Sequence, residues 1–132
     1  MLRDRAVYTL LPADDVERAT AFYAEKLKLP RAEIPVGPND VAFAAGEGTG
    51  LYISENLAGA RAKHAVAAWH VENIEEVVRE LRSRGVEFER EQHDFPGVEV
   101  DHRGIIDVGG DKAAYFRDSE GNLLSISEPA HW

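Results

Sequence analysis

Apolar residues recur at helical spacing in two segments of the chain. The first segment follows Pro12, and its apolar positions are Val16, Ala19, Phe22, Tyr23 and Leu27. The second segment follows Asn73, and its apolar positions are Ile74, Val77, Val78 and Leu81. Because side chains three and four residues apart share one face of an α-helix, each segment predicts an amphipathic helix packed on a core.

Both predicted helices carry signals for their ends. Asp14 with Glu17, and Asn73 with Glu76, have the three-residue spacing of an N-terminal capping box. Gly85 follows the second helix, and glycine readily adopts the left-handed conformation that ends many helices. The boundaries are therefore expected near residues 14 and 73 at the start, and near 85 at the end of the second helix.

Shorter segments with strand-like composition surround each helix. One strand is expected before each helix, at 6–12 and 65–71. Those expected after the first helix are 32–36, 41–45 and 51–54. Those expected after the second are 86–90, then 105–108 within a long loop, 113–117 and 123–127. The order strand, helix, strand, strand, strand occurs twice, which predicts an α+β fold.

The two halves of the chain also align as a sequence repeat. Residues 10–19 align with 68–77 at an offset of 58, and residues 50–56 align with 123–129 at an offset of 73. The second copy therefore contains 15 extra residues, which we place in the loop spanning 92–110. An internal repeat of this kind indicates two copies of one supersecondary unit.

Three segments of the repeat carry recognisable motifs, at 11–27, 71–86 and 116–124. In this order they resemble the D-x-E-R-A-x-x-F-Y-x-x-x-L, V-x-D-I-x-x-x-V-x-x-L-x-x-x-G and F-x-D-x-x-G-N signatures of the vicinal-oxygen-chelate superfamily. This group is also called the glyoxalase/bleomycin-resistance/dioxygenase superfamily. The resemblance implies a single domain over 1–132, with two βαβββ modules (about 5–56 and about 64–128) forming a cupped mixed sheet. It also implies a homodimer.

In metalloenzymes of this superfamily, four positions facing the cup bind a divalent cation. The resemblance places these positions at Tyr8, Tyr52, Val66 and Ser125. Valine has no ligand atom, and neutral phenol and serine hydroxyl groups bind such ions poorly. We therefore expect a metal-free member with no cofactor. A metal site built in the long loop from His93, Asp94, Glu99, Asp101 and His102 remains an alternative.

Strand alternation predicts which side chains line the cup instead. Residues that share parity with the four positions face the cup, and the others face the helices. The predicted ligand-binding residues are Tyr8, Leu10, Tyr52, Ser54, Val66, Ala68, His70, Tyr115, Arg117, Ser125 and Ser127. Aromatic, small and hydroxyl side chains are typical of a pocket for an organic ligand. The same side chains could instead fill a closed core.

Composition narrows the classes of function. The net charge of −9 argues against a nucleic-acid-binding protein, which needs clustered Lys and Arg to neutralise phosphates. With no cysteine, the chain forms no disulfide and uses no thiolate. No apolar stretch is long enough for a membrane helix, and the N-terminus lacks the pattern of a secretory signal. We expect a cytoplasmic protein that does not contact membranes.

Three functions are compatible with these features. The leading hypothesis is a metal-independent protein that sequesters a small aromatic or planar compound, as in antibiotic resistance by binding. The second is a metal-independent lyase, isomerase or cyclase, with His70 as catalytic acid or base and Tyr8 or Tyr52 as proton donor. The third is a divalent-metal glyoxalase, epimerase or dioxygenase, which the four positions make the weakest.

Overall fold

A computed structural model describes residues 1–92 and 95–130 of the chain. Its strands are β1 (Tyr8–Pro12), β2 (Asp40–Ala44), β3 (Gly50–Ser54), β4 (Ala67–His70), β5 (Ile105–Val108), β6 (Asp111–Arg117) and β7 (Leu123–Glu128). Its main helices are α1 (Val16–Ala21), which continues as a π-helical turn over Phe22–Lys26, and α2 (Ile74–Ser83). No described helix has the length and apolar character needed to cross a membrane.

The chain forms two compact units, each with one mixed sheet and one main helix. The first unit comprises Met1–Ala62 together with the turn Asp118–Asn122. Its sheet has the order β1-β3-β2, with β1 parallel and β2 antiparallel to β3. Its core side chains with no exposed surface are Leu11, Ala13, Ala19, Tyr23, Phe43 and Ile53. The predicted face of the first helix is therefore buried at Ala19 and Tyr23.

The second unit comprises Lys63–Arg117 and the chain from Leu123 onward. Its sheet has the order β4-β7-β6-β5, with β4 parallel to β7 and the other neighbours antiparallel. Buried residues of the helix and of the sheet form its core: Ile74, Val78, Leu81, Ala114, Phe116, Leu124 and Ile126. The two units show the α+β architecture that the repeat predicts.

Equivalent glutamates cap the two helices, which explains part of the repeat. Glu55 follows β3 and accepts a hydrogen bond of 2.8 Å from the backbone N–H of Val16. Glu128 ends β7 and accepts one of 2.9 Å from the N–H of Ile74. Val16 and Ile74 are the first residues of α1 and α2. The N–H groups at the start of a helix have no partner within the helix. The Ile-Ser-Glu segment thus recurs because each last strand delivers a carboxylate to its own helix.

Three local predictions need correction. Asp15, not Asp14, caps α1, since its carboxylate accepts hydrogen bonds from the N–H groups of Glu17 and Arg18. The predicted strand 32–36 is reduced to a bridge at Arg31 with Phe43. Prolines at 30 and 35 lack the N–H that a continued ladder requires. The predicted strand 86–90 is likewise a single bridge, between Phe88 and Phe116.

Candidate functional site

One face of the second sheet carries small side chains, and the opposite face carries large ones. Ala114, Phe116, Leu124 and Ile126 belong to the buried core. The alternate positions of the same strands, which point the other way, hold Ala113, Tyr115, Ser125 and Ser127. In β5, Ile106 and Val108 are the register partners of Ala113 and Asp111, so they share this second face.

A cavity of about 390 Å³ lies over that face. It is lined by Phe95, Ile106, Val108, Asp111, Lys112, Ala113, Tyr115, Ser125, Ser127 and Pro129. The space exists because Ala113, Ser125 and Ser127 are too short to fill it. Ligand pockets typically measure roughly 300–1,000 Å³ and combine apolar walls with a few polar groups. We call this space the apolar cavity.

A second cavity, also of about 390 Å³, adjoins the first at Tyr115, which lines both. Its other lining residues are Lys63, Glu89, Arg90, Glu91, Gln92, Arg117 and Leu123. Two of its lining residues form an ion pair, with Arg117 Nε and Glu89 Oε1 3.1 Å apart. We call this space the charged cavity. Tyr115 therefore stands between an apolar environment and a polar one.

The long loop of the second unit contributes Phe95 to the apolar cavity. The Gln92 side chain holds this part of the loop with three hydrogen bonds. Its Nε2 donates to the carbonyl oxygens of Phe95 and Val98, both at 2.9 Å, and its Oε1 accepts from the Phe95 N–H at 2.8 Å. The Phe95 side chain remains 40% exposed at the edge of the cavity.

The structure brings together only part of the predicted site in these cavities. Tyr115, Ser125 and Ser127 line the apolar cavity, and Tyr115 and Arg117 line the charged one. The predicted residues Val66, Ala68 and His70 line neither. Ala68 and His70 are the register partners of Ser125 and Ser127, so they share the same sheet face at the β4 edge, where both are exposed.

Sequence analysis missed most of the other residues that line the apolar cavity, among them Phe95, Ile106 and Val108. Alternation in β5 could have identified Ile106 and Val108, because Asp107 between them points the opposite way and faces solvent. Phe95 carried no periodic signal, since it lies in an irregular loop with no counterpart in the first copy of the repeat.

In the first unit, the predicted residues Tyr8, Leu10, Tyr52 and Ser54 also share one sheet face, as the pairing of β1 with β3 requires. Tyr8 packs its ring directly over Gly50, where an added Cβ would collide with the ring carbons. Leu10 is 63% exposed, which is high for a leucine within a strand. This face thus presents aromatic and apolar surface to whatever contacts it.

Tyr52 is not available as an ionised group. Its hydroxyl donates a hydrogen bond of 2.7 Å to Oδ2 of Asp40. Hydrogen bonds from Ser54 and Tyr52 lower the pKa of Asp40, and the same carboxylate raises the pKa of Tyr52 above its usual value. Asp40 is therefore ionised at neutral pH, and Tyr52 is a neutral phenol committed to it.

The donor set at the four family positions does not suit a divalent cation. Val66 offers no ligand atom, the Tyr52 hydroxyl is engaged with Asp40, and Tyr8 and Ser125 offer hydroxyl groups rather than the carboxylate or imidazole ligands of such sites. Within 1–92 and 95–130, no group of three or more His, Asp and Glu side chains could hold a metal ion.

The alternative metal site in the long loop involves His93 and Asp94, which lie outside the described residues. Of the other candidates, Asp101 is already engaged. Its Oδ1 accepts from the N–H groups of Arg103 and Ile105 at 2.8 and 3.0 Å, and its Oδ2 pairs with the Arg103 guanidinium at 2.8 Å. This carboxylate has a structural role within the loop.

Comparisons with known proteins agree with this architecture. The family model of the Glyoxalase/Bleomycin resistance protein/Dioxygenase superfamily matches residues 5–126. Solved structures include a glyoxalase family protein from Enterococcus faecalis, at 24% identity and TM-score 0.65 over 97% of this chain and 100% of that one. No curated protein matches.

Two further proteins of similar structure have names that indicate different functions, one binding and one catalytic. One is TnmS3, an antibiotic binding protein from Streptomyces sp. CB03234, with 19% identity and TM-score 0.62 over 93% of this chain and 95% of that one. The other is a lactoylglutathione lyase from Agrobacterium tumefaciens, with 21% identity and TM-score 0.62 over 97% and 94%. At these identities the likeness shows the fold alone.

Proposed function

We propose that this chain, which belongs to the Glyoxalase/Bleomycin resistance protein/Dioxygenase superfamily, binds a small planar aromatic compound without the help of a metal ion. The observation that carries the proposal is the apolar cavity over the second sheet, with Phe95 and Tyr115 in its wall. Sequestration of such a compound would protect a cell from it, as in antibiotic resistance by binding.

The lining of the cavity supports an aromatic ligand. Ile106, Val108 and Ala113 provide apolar surface, and the rings of Phe95 and Tyr115 provide faces or edges for stacking. Ser125 and Ser127 add two hydroxyl groups that can orient a polar substituent of the ligand. Burial of apolar surface supplies most of the binding free energy in such a site, at about 25 cal/mol per Å².

The proposal of metal independence rests on the donor set at the family positions. Without a suitable cation site, the metal-dependent reactions of the superfamily lack their electrophile in this chain. Affinity must then come from shape, apolar burial and the few polar groups of the cavity. This favours binding over a metal-dependent reaction as the function.

We further propose that the binding form is a homodimer, with a second copy covering apolar surface that one chain leaves exposed. Val7 is 74% and Leu10 is 63% exposed, and they lie at or just before the edge strand β1. Light scattering coupled to gel filtration should report twice the mass of 14.6 kDa. A monomer at all concentrations would contradict this part of the proposal.

The site itself can be tested with the fluorescent probe N-phenyl-1-naphthylamine, a neutral aromatic whose emission rises in apolar surroundings. Wild-type protein should bind the probe saturably. Ala113→Phe should abolish binding, because the larger side chain fills the cavity. Ala60→Phe, at an exposed position in the first unit, is the matched control and should bind normally. Equal binding by both variants would refute this location.

A further inference from the structure

We infer that Gln92 determines the ligand specificity of the apolar cavity by holding Phe95 in its wall. The inference rests on the proposed function, since it concerns the same cavity. It assigns Gln92 as a positioning residue, which acts on the ligand through the loop, and Phe95 as the specificity-determining contact. Neither residue has a counterpart in the first copy of the repeat.

The side chain of Gln92 binds the backbone of its own loop through hydrogen bonds. Its amide group donates to two carbonyl oxygens, of Phe95 and Val98, and accepts from the N–H of Phe95. All three bonds connect one side chain to the backbone of the loop within six residues. Because a backbone N–H and carbonyl of the same residue are both engaged, the Phe95 backbone is fixed in position and orientation. A glutamate of equal size could accept but could not donate to the carbonyls.

The position of Phe95 makes these hydrogen bonds relevant to ligand binding. The ring lies at the cavity edge and leaves 40% of its side chain to solvent. The nearby cavity residues are fixed by strands, because Ile106 and Val108 belong to β5 and Ala113 and Tyr115 belong to β6. Phe95 is the aromatic wall residue that comes from a loop, so its placement depends on side-chain contacts such as those of Gln92.

The location of Gln92 links the two cavities. Gln92 itself lines the charged cavity, while the residue it holds lines the apolar one. A substitution at Gln92 should therefore alter the width of the apolar cavity without replacing any residue that lines this cavity. This predicts changed selectivity between ligands of different width, together with weaker binding of narrow ligands.

A double-mutant cycle tests whether Gln92 acts on the bound ligand through Phe95, as the inference requires. Gln92→Glu should weaken binding of N-phenyl-1-naphthylamine about tenfold, or about 1.4 kcal/mol. Phe95→Ala should have a similar effect, and the double variant should be no weaker than Phe95→Ala alone, because Gln92 acts through the ring. Glu91→Gln, an exposed neighbour in the charged cavity, is the control and should bind as wild type does. Additive losses in the double variant would overturn the inference.

A second measurement does not depend on ligand. Amide hydrogen exchange at Phe95 should accelerate in Gln92→Ala but not in Glu91→Gln, because Gln92→Ala removes the acceptor of the Phe95 N–H. Unchanged exchange would overturn the role of Gln92 even if the probe binds. Accelerated exchange with wild-type protein that binds no aromatic probe would overturn both the specificity role and the proposed function. Normal probe binding with no effect of Gln92→Glu would overturn the inference alone.

Discussion

The carboxylate of Glu120 should be among the most stabilising charges of the first unit. Its side chain has no exposed surface, although the turn that carries it comes from the far end of the sequence. Oε1 accepts from the N–H groups of Asp14 and Asp15, both at 2.9 Å. The Arg18 guanidinium donates to both oxygens, at 2.7 and 3.0 Å. Glu120→Gln removes the charge and puts an N–H₂ group where an acceptor is needed.

The loss of stability expected in Glu120→Gln follows from the pKa of Glu120. Burial acts to raise the pKa of Glu120, but hydrogen bonds from Arg18, Ser119 and the backbone outweigh it and lower the pKa to about 2 from an ordinary 4.5. A pKa difference of one corresponds to about 1.36 kcal/mol, so the ionised form of Glu120 contributes about 3 kcal/mol to the stability of the folded state. Arg18 is half exposed, so solvent screens part of its interaction with Glu120. We therefore expect Glu120→Gln to cost about 2 to 3 kcal/mol at pH 7.

The sign of the pH dependence is also defined. The folded pKa lies below the unfolded value, so the stabilisation is fully present above pH 4.5 and is lost as the pH falls toward about 2. Urea unfolding of wild type and Glu120→Gln should therefore differ most at pH 7 and converge as the pH falls to about 2. Glu17→Gln, an exposed glutamate in α1, is the control and should change stability little. Equal stability of wild type and Glu120→Gln at pH 7 would refute the reasoning.

Three further substitutions test other parts of the account. His70→Ala should leave probe binding unchanged, because His70 lines neither cavity; a large loss measured by fluorescence titration would contradict the location of the site. Tyr23→Phe should cost about 1 to 2 kcal/mol in urea unfolding, since it removes the buried 2.6 Å hydrogen bond to Asp118; no change in midpoint would contradict that value. Gly50→Ala should lower the melting temperature strongly, because its Cβ would meet the Phe43 carbonyl at 2.6 Å, whereas Gly46→Ala meets nothing and should be tolerated.

The repeat predicted the fold well because it records contacts made twice. Glu55 and Glu128 each cap a helix from the end of a last strand, so the same contact occurs in both copies. The resemblance to the superfamily, together with the repeat, placed the family's ligand positions at Tyr8, Tyr52, Val66 and Ser125. Helix periodicity and strand alternation then predicted which side chains are buried.

Prediction was weaker where one copy has no counterpart in the other. The strand expected at 32–36 failed because a ladder depends on individual N–H donors, which prolines lack. Phe95 and Gln92 lie in the loop inserted in the second copy, and their contacts are set by side-chain hydrogen bonds rather than by periodicity. Alternation therefore identified the cavity residues Tyr115, Ser125 and Ser127 of β6 and β7, but neither those of β5 nor the part formed by the loop.

The most direct test of the central claim is a titration of N-phenyl-1-naphthylamine into protein treated with a chelator, repeated after adding Zn²⁺, Mn²⁺ or Mg²⁺. The account predicts saturable binding with the same affinity in all samples, and its loss in Ala113→Phe. Binding that appears only with a divalent ion would contradict metal independence. No binding in any sample would contradict the proposed function.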